Sequence, residues 1–548
     1  MARHNLLLTQ MIKLESRFRC FVFCFTLLAF LIPFRNIARS NFDTTGLKLI
    51  DIKGDSLKGF KSETKAYQRI IGSVIISHDG TTMTCDSAHF YFEKNSVEAF
   101  SNVHIQSNNG TQASGDYMRY TGHNHTAYMQ GNVRIIDAAN TLFTEELIYN
   151  VKTKIGKYEQ GGTLQSDETT VSSNRGTYNG FTKQSYFAEE VIITNPKYTI
   201  ESEELTYNTK SKVVKFLRKS TIISENATIQ TSAGTYDAAN ESAVFTKRTS
   251  VENAEQIITG NTLRFNDKTG IGKASGDVVI IDIKNNSRID CDQADYNRTT
   301  GYGKAIGHVR IEKDDGKTLL FAKETEYNKK TSYAIATGNV VIIDTTEKSK
   351  LLCGQVEYNE NSSFMLATLH PKLITQMDQD SLYIRADTMI RMRARDEKIV
   401  QRITKKEKNG KLIMQKSTFN LLYADSTAKS ENQEEPTFII AYKTVKVYSD
   451  SMQAVCDSLH YSQIDSIFRF FKSPVLWSKS QQSVADTIFA HTIANKISEA
   501  HLIGAAFIIS ETGYKPFYDQ VSGNFIDAFF QDNQLHFVHV NENAESLY

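Results

Sequence analysis

Between about residues 65 and 370, apolar side chains alternate with polar ones in short runs, turn residues arrive every 8 to 12 positions, and no 10-residue window carries a helical period. Alternation places successive side chains on opposite faces of an extended chain, so the pattern predicts strand after strand. The runs also repeat. An aromatic recurs at Tyr91, Tyr120, Tyr149, Tyr178, Tyr207, Tyr236 and Phe265 in steps of 29, then at Tyr296, Tyr327 and Tyr358 in steps of 31. A fixed spacing of that size is the signature of a repeat architecture. Asn or Asp follows most of these aromatics, as in Asn150-Val151-Lys152 and Asn297-Arg298-Thr299, and such residues build tight turns. Each repeat is therefore expected to hold a strand that ends on the aromatic and then reverses.

Thirteen residues after five of the aromatics stands a valine, with an isoleucine two positions further on. The pairs are Val133 and Ile135, Val191 and Ile193, Val278 and Ile280, Val309 and Ile311, and Val340 and Ile342; Val103 and Ile105 make the same pair in the first repeat. Residues i and i+2 of a strand share a face, so each pair offers an apolar patch to a core or to a ligand. Gly131, Gly276, Gly307 and Gly338 precede four of the valines by two, and Gly-x-Val-x-Ile reads as the start of a strand. Its alternate positions are polar in some copies (Asn132, Arg134) and apolar in others (Val279, Ile281), which predicts strands covered on both faces.

The spacing loosens past Lys372. The densely charged stretch from Arg391 to Lys411 reads as a long loop within an irregular segment, 372–454, and patterning resumes in a distal β region, 455–548, at Cys456 to Tyr461 and Ser473 to Trp477. The array stops at Tyr548 without the polar cap that terminal repeats need, which reads as a truncated end.

Composition agrees with strands: Tyr 25 and Phe 31 stand against Trp 1 and Pro 6 in 548 residues. Lys+Arg 63 against Asp+Glu 62 leaves a net charge of +1, so no global field recruits nucleic acid. At the N-terminus, Arg3, Lys13, Arg17 and Arg19 precede an apolar run from Cys20 to Phe34, and residues 1–39 read as a signal peptide. The run is short of the roughly 20 residues a spanning helix needs. Cleavage near Ala38 exports the chain; without it the same run is an N-terminal anchor.

Chemistry is sparse. Cys20 and Cys24 lie in the leader, and Cys291, Cys353 and Cys456 each fall five residues before a repeat aromatic, with Cys85 six before Tyr91. Equivalent positions hold Gly115, Thr144, Ser173, Ser202 and Thr231, all small, so the cysteines read as small buried side chains, with a Cys291 to Cys353 bridge as the alternative. No zinc-type Cys/His spacing and no Gly-x-Ser-x-Gly elbow occurs. Gly270-Ile271-Gly272 and Gly301-Tyr302-Gly303 fall at turns rather than ahead of a helix, and Asp290, Asp292 and Asp295 lack a base or metal partner. The residues name no catalytic group, metal ligand or cofactor.

The segments Met83 to Ala88 and Glu98 to Ile105, followed by Gly131-Asn132-Val133, Gly276-Asp277-Val278, Gly307-His308-Val309 and Gly338-Asn339-Val340, resemble the OstA-like family of lipopolysaccharide-transport proteins, the LptA and LptD soluble-domain type. The resemblance covers residues 46–371, and Ser473 to Trp477 and Tyr518 to Gly523 look like the same family's distal half. It implies an all-β elongated repeat array, an open β-jelly roll with apolar side chains lining its inside and edge strands that stack on neighbouring Lpt-type β-jelly-roll proteins. It also implies a periplasmic carrier that shields the acyl chains of lipopolysaccharide on the way to the outer membrane. The lining candidates are then the six Val/Ile pairs and the aromatics Tyr120, Tyr149, Tyr178, Tyr207, Tyr236, Phe265, Tyr296, Tyr327 and Tyr358; the same residues would otherwise be the packed core between sheets. With strands about 4.8 Å apart and some 10 residues per strand and turn, ~500 residues give a groove on the order of 100 Å.

Two other readings stay open at this point. A parallel β-helix, as a surface protein or a polysaccharide-acting enzyme, also repeats every few tens of residues. An envelope scaffold that binds only proteins through its strand edges would show the same periodicity.

Overall fold

Alternation becomes a single antiparallel meander, in which the long strands pair with the strand before and the strand after, and the pieces of a split strand each pair with the matching arm of the strands on either side. The computed structural model describes residues 50–61, 66–78, 80–108, 110–377, 380–393, 436–450, 452–493, 496–512, 516–531 and 534–548. The leader reading for 1–39, with Cys20 and Cys24, lies outside them, and no described helix is long and apolar enough to cross a membrane. Ile50–Tyr548 is all β, with 42 strands in one hydrogen-bonded network and no helix among the described residues. Every ladder, from Ile76 opposite Ile52 to Ile526 opposite Val540, is antiparallel. A parallel β-helix, which needs each coil to lie parallel on the last, is thereby overturned.

Nine of the long described strands do not run straight. Thr126–Asp137 pairs along its length with Asn140–Asn150, but the register shifts between Gln130 and Val133. The two residues skipped there, Gly131 and Asn132, have φ of 78° and 47°. Two successive left-handed residues form a bulge that bends the strand while both arms keep their hydrogen bonds. The same corner recurs at Gly276 and Asp277, Gly307 and His308, and Gly338 and Asn339. Gly-x-Val-x-Ile is therefore the corner in mid-strand and not its start, because the glycine supplies a turn of the backbone within an unbroken ladder. At Gly307 a second reason applies: a Cβ would lie 2.1 Å from Asp292 Oδ2, the carboxylate that accepts from His308 Nδ1 at 2.9 Å. Asp116 and Asn132 (2.8 Å) and Asp86 and Asn102 (2.8 Å) repeat this clamp outside the corner. Of the three neighbouring carboxylates noted in the sequence, Asp292 is one of these clamps, and Asp290 meets Arg288 and Arg310.

The corners divide the meander into a near half-sheet, which carries the repeat aromatics, and a far half-sheet, which carries the isoleucines. Where a corner is not bulged the strand is cut in two, as in Val213–Phe216 and Ser220–Ser224. The change of spacing has a simple origin. The far turn after Thr126–Asp137 has two residues before Asn140, whereas four separate Ile271–Asp282 from Ser287–Asn297.

Within 372–454 the described residues form strands where an irregular segment was expected: Lys372–Gln376, Ser381–Arg385, Thr388–Arg393 and Thr437–Tyr448 continue the ladder. Three of these four strands have only five or six residues, too short to set up a clear alternation. Of the charged stretch from Arg391 to Lys411, Arg391 to Arg393 close a strand, and the rest lies outside the described residues.

Candidate functional site

Three cross-strand rows line the inner faces. The first is aliphatic and crosses the far half-sheet. Ile135 stands opposite Leu142, Leu142 opposite Leu164, Leu164 opposite Val171, and Val171 opposite Ile193. From there it runs through Ile200, Ile222 and Ile229 to Val251, Ile258 and Ile280. It continues through Ile289, Ile311, Leu320, Ile342 and Leu351 to Leu373, Ile384 and Val447. Upstream, Ala113, Ile105, Met83, Ile76 and Ile52 extend it. No polar residue interrupts the row from Ile52 to Val447. One member per strand on one face gives a continuous apolar track across the strands.

The second row holds the aromatics of the near half-sheet, with a small residue between each pair. Tyr120, Ala127, Tyr149, Gly156, Tyr178, Ser185 and Tyr207 are successive partners, as are Phe265, Gly272, Tyr296, Gly303, Tyr327, Ala334 and Tyr358. Tyr236 joins the two runs through Val214 and Ala243. Tyr91 does not belong to the row. Phe90, not Tyr91, stands opposite Val97, the partner of Tyr120, so Tyr91 points to the other face, where its hydroxyl donates to Glu98. Burial varies along the row: Tyr207 is buried, whereas Tyr296 and Tyr327 are 41% and 40% exposed.

The third row lies between the corner and the aromatics, and its side chains change size along the chain. Over one stretch it reads Phe187, Leu205, Phe216, Gly234, Phe245 and Leu263. It then becomes Ala274, Ala294, Ala305, Thr325 and Ala336.

The valines and isoleucines of the motif part company. Val103, Val133, Val191, Val278, Val309 and Val340 are each at 1% exposure, packed at the corner. Ile105, Ile135, Ile280, Ile311 and Ile342 are half-buried on the track, and Ile193 is fully buried. The returning strands supply members that the motif misses: Leu142, Ile200, Ile229, Ile258, Ile289, Leu320 and Leu351. Each stands seven residues before a repeat aromatic, a regularity legible in the sequence.

The outer ends of the half-sheets form two lips that meet through charged side chains. Asp137, ending a far arm, accepts from Lys183 Nζ at 2.5 Å and from the Tyr178 hydroxyl at 2.9 Å, both on the near side. Burial and the Asp137 carboxylate push the Tyr178 hydroxyl pKa up. Lys212 reaches Asp167 at 2.6 Å, and Lys313 reaches Glu360 at 3.4 Å. Beneath the first of these contacts is a cavity of about 70 Å³ with Ile135, Leu142, Leu147 and Leu164 among its lining.

Cys85, Cys291, Cys353 and Cys456 are free, and each stands opposite a corner valine: Val74, Val278, Val340 and Val445. Burial pushes the Cys291 and Cys353 thiols up to about 11, so both stay protonated at neutral pH. Among the described residues no group of three or more His, Cys, Asp or Glu is placed to hold a metal ion.

Residues 48–203 match the model of the family described as OstA-like protein, and residues 157–252 match the family described as lipopolysaccharide-assembly, LptC-related. No curated protein matches the chain. Among solved structures, one similar chain is LptH of Pseudomonas aeruginosa, described as the LptA-homologous periplasmic component of the lipopolysaccharide transport device. It is 12% identical, the match covers 30% of this chain and 80% of that one, and the TM-score is 0.09, so the likeness carries no weight for function.

Proposed function

We propose, on the premise that the chain is an OstA-like protein of the lipopolysaccharide-transport group, that it is a periplasmic carrier whose apolar track shields lipopolysaccharide acyl chains between membranes. The observation that carries this reading is the unbroken aliphatic row from Ile52 to Val447, half-buried over Ile280, Ile289, Ile311, Leu320 and Ile342. An apolar row left half-open over successive strands gives hydrocarbon a continuous surface to lie on. Each methylene kept from water is worth about 0.8 kcal/mol, so a lipid with several acyl chains needs continuous cover to cross an aqueous gap. A row with one apolar side chain on every strand offers such cover without a fixed stopping place.

The track asks for binding and not for bond-making, so the protein acts as a carrier rather than an enzyme. Its ends favour stacking with other Lpt-type β-jelly rolls. Ser56–Lys61 pairs on one side only among the described residues, as does Gln534–Asn541 at the far end. Unpaired strand edges accept a further strand.

Photocrosslinking from Ile135, Ile280 and Ile311, with Arg134 and Arg310 as outward controls, in cells making lipopolysaccharide tests the reading. Lipid adducts confined to the isoleucines are expected. Protein adducts alone at those positions would replace the carrier with a scaffold.

A further inference from the structure

The lips are not held together by apolar packing alone. Asp137 lies where a far arm ends, and Tyr178 and Lys183 lie at the end of a near arm and in the turn beyond it. All three meet over the small cavity, whose floor is Ile135, Leu142 and Leu164 of the aliphatic track. Lys183 is 31% and Asp137 21% exposed, so the pair sits at the boundary between water and the apolar interior. The arrangement recurs one repeat on: Lys212, 29 residues after Lys183, binds Asp167 at 2.6 Å and Ser166 Oγ at 3.3 Å. One repeat earlier, Lys154 lines the same cavity but faces the Phe181 ring at 4.9 Å instead of a carboxylate.

We propose that Asp137, Tyr178 and Lys183 form a clasp across the lips, opened when an anionic head group takes Lys183 from Asp137. The reasoning is one of charge and place. A half-buried ammonium needs a counter-ion, and Asp137 supplies it while the track is empty. An amphiphile whose chains enter over Ile135 brings its own anion to the same height, where Lys154 already offers a cation without a carboxylate. The anion then pairs with Lys154 and Lys183, Asp137 turns to water, and the lips part. Chain burial and clasp opening are thus coupled, because the ligand interacts better with the open arrangement than with the closed one.

The clasp rests on the carrier reading, and crosslinking at two track positions separates their failures. Probes at Ile135, inside the clasp, and at Ile311, remote from it, are compared in the full chain with lipopolysaccharide as the ligand. Asp137→Asn is expected to raise lipid adducts at Ile135 about fivefold and leave Ile311 unchanged. Lys183→Met, which breaks the same bridge but removes the cation, is expected to lower them, and the swap of Asp137→Lys with Lys183→Asp to return them toward wild type. If both single variants raise adducts at Ile135, the bridge is a mechanical tie and the head-group exchange is overturned. If neither changes Ile135 while Ile311 still crosslinks, the clasp falls and the carrier stands. Absence of adducts at both positions in the wild type removes the carrier, and the clasp with it.

Discussion

Residues 155–266 and residues 271–359 use one strand plan and fill it differently. In the first stretch the third row is Phe187, Leu205, Phe216 and Phe245, all fully buried or nearly so, and the aliphatic row beside it includes Ile193 and Ile200 with no exposure. Gly234 leaves room there, since a Cβ on it would meet the Phe245 ring at 2.7 Å. In the second stretch the row shrinks to Ala274, Ala294, Ala305 and Ala336, and the isoleucines and tyrosines facing it stay partly open. The buried core also divides here, one cluster ending at Val309 and the next starting at Ala322. Phenylalanine fills the third row in the first stretch, and alanine takes up less of it in the second.

That contrast sets the order of expected effects. Phe216→Ala opens a cavity in a fully packed site and should cost about 3–5 kcal/mol, seen as faster amide exchange through Val213–Phe216 and its neighbours. Ile311→Ala, at a half-open position, should cost only roughly 1–2 kcal/mol. Equal costs would mean that the two stretches are packed alike. Gly307→Ala combines a φ of 78° with a Cβ 2.1 Å from Asp292 Oδ2, and about 1–3 kcal/mol of strain should appear in the denaturation midpoint. Adding Asp292→Ala should recover only a small part of it, because the carboxyl goes while the Cβ at 292, 2.8 Å away, and the backbone cost stay. The smallest effect belongs to the outer face. Arg288 holds the Asp290 carboxyl below its usual range, so the stability from that pair is present above about pH 4 and is lost as pH falls through the lowered value. The pair is largely solvated and worth at most about 1 kcal/mol, and Asp290→Asn should flatten that acid slope only slightly.

Much of the fold was legible. Tyr120 through Tyr358 mark strand ends because one cross-strand row places its members at the same point of every second strand, which a fixed spacing along the chain records. The corner was not legible, since Gly131 and Asn132 lie within a ladder that looks unbroken from alternation alone. Spacing also misled at Tyr91, where a bulky Phe90 one position earlier took the inner place. The track was half visible: Val-x-Ile found the outgoing strands, and the offset of seven before each aromatic would have found the returning ones. The clasp could not be read, because Asp137 and Lys183 are brought together by the way the half-sheets cross and not by any local pattern.

The central claim is that the alanine row keeps space for hydrocarbon. Native mass spectrometry of the full chain from cells making lipopolysaccharide, wild type against Ala305→Phe with Ala336→Phe, tests it most directly. The wild type should carry lipopolysaccharide, and the filled variant, still folded by its amide-exchange protection, should have lost most of it. A bare wild type, or a filled variant that carries as much lipid as the wild type, would contradict the account.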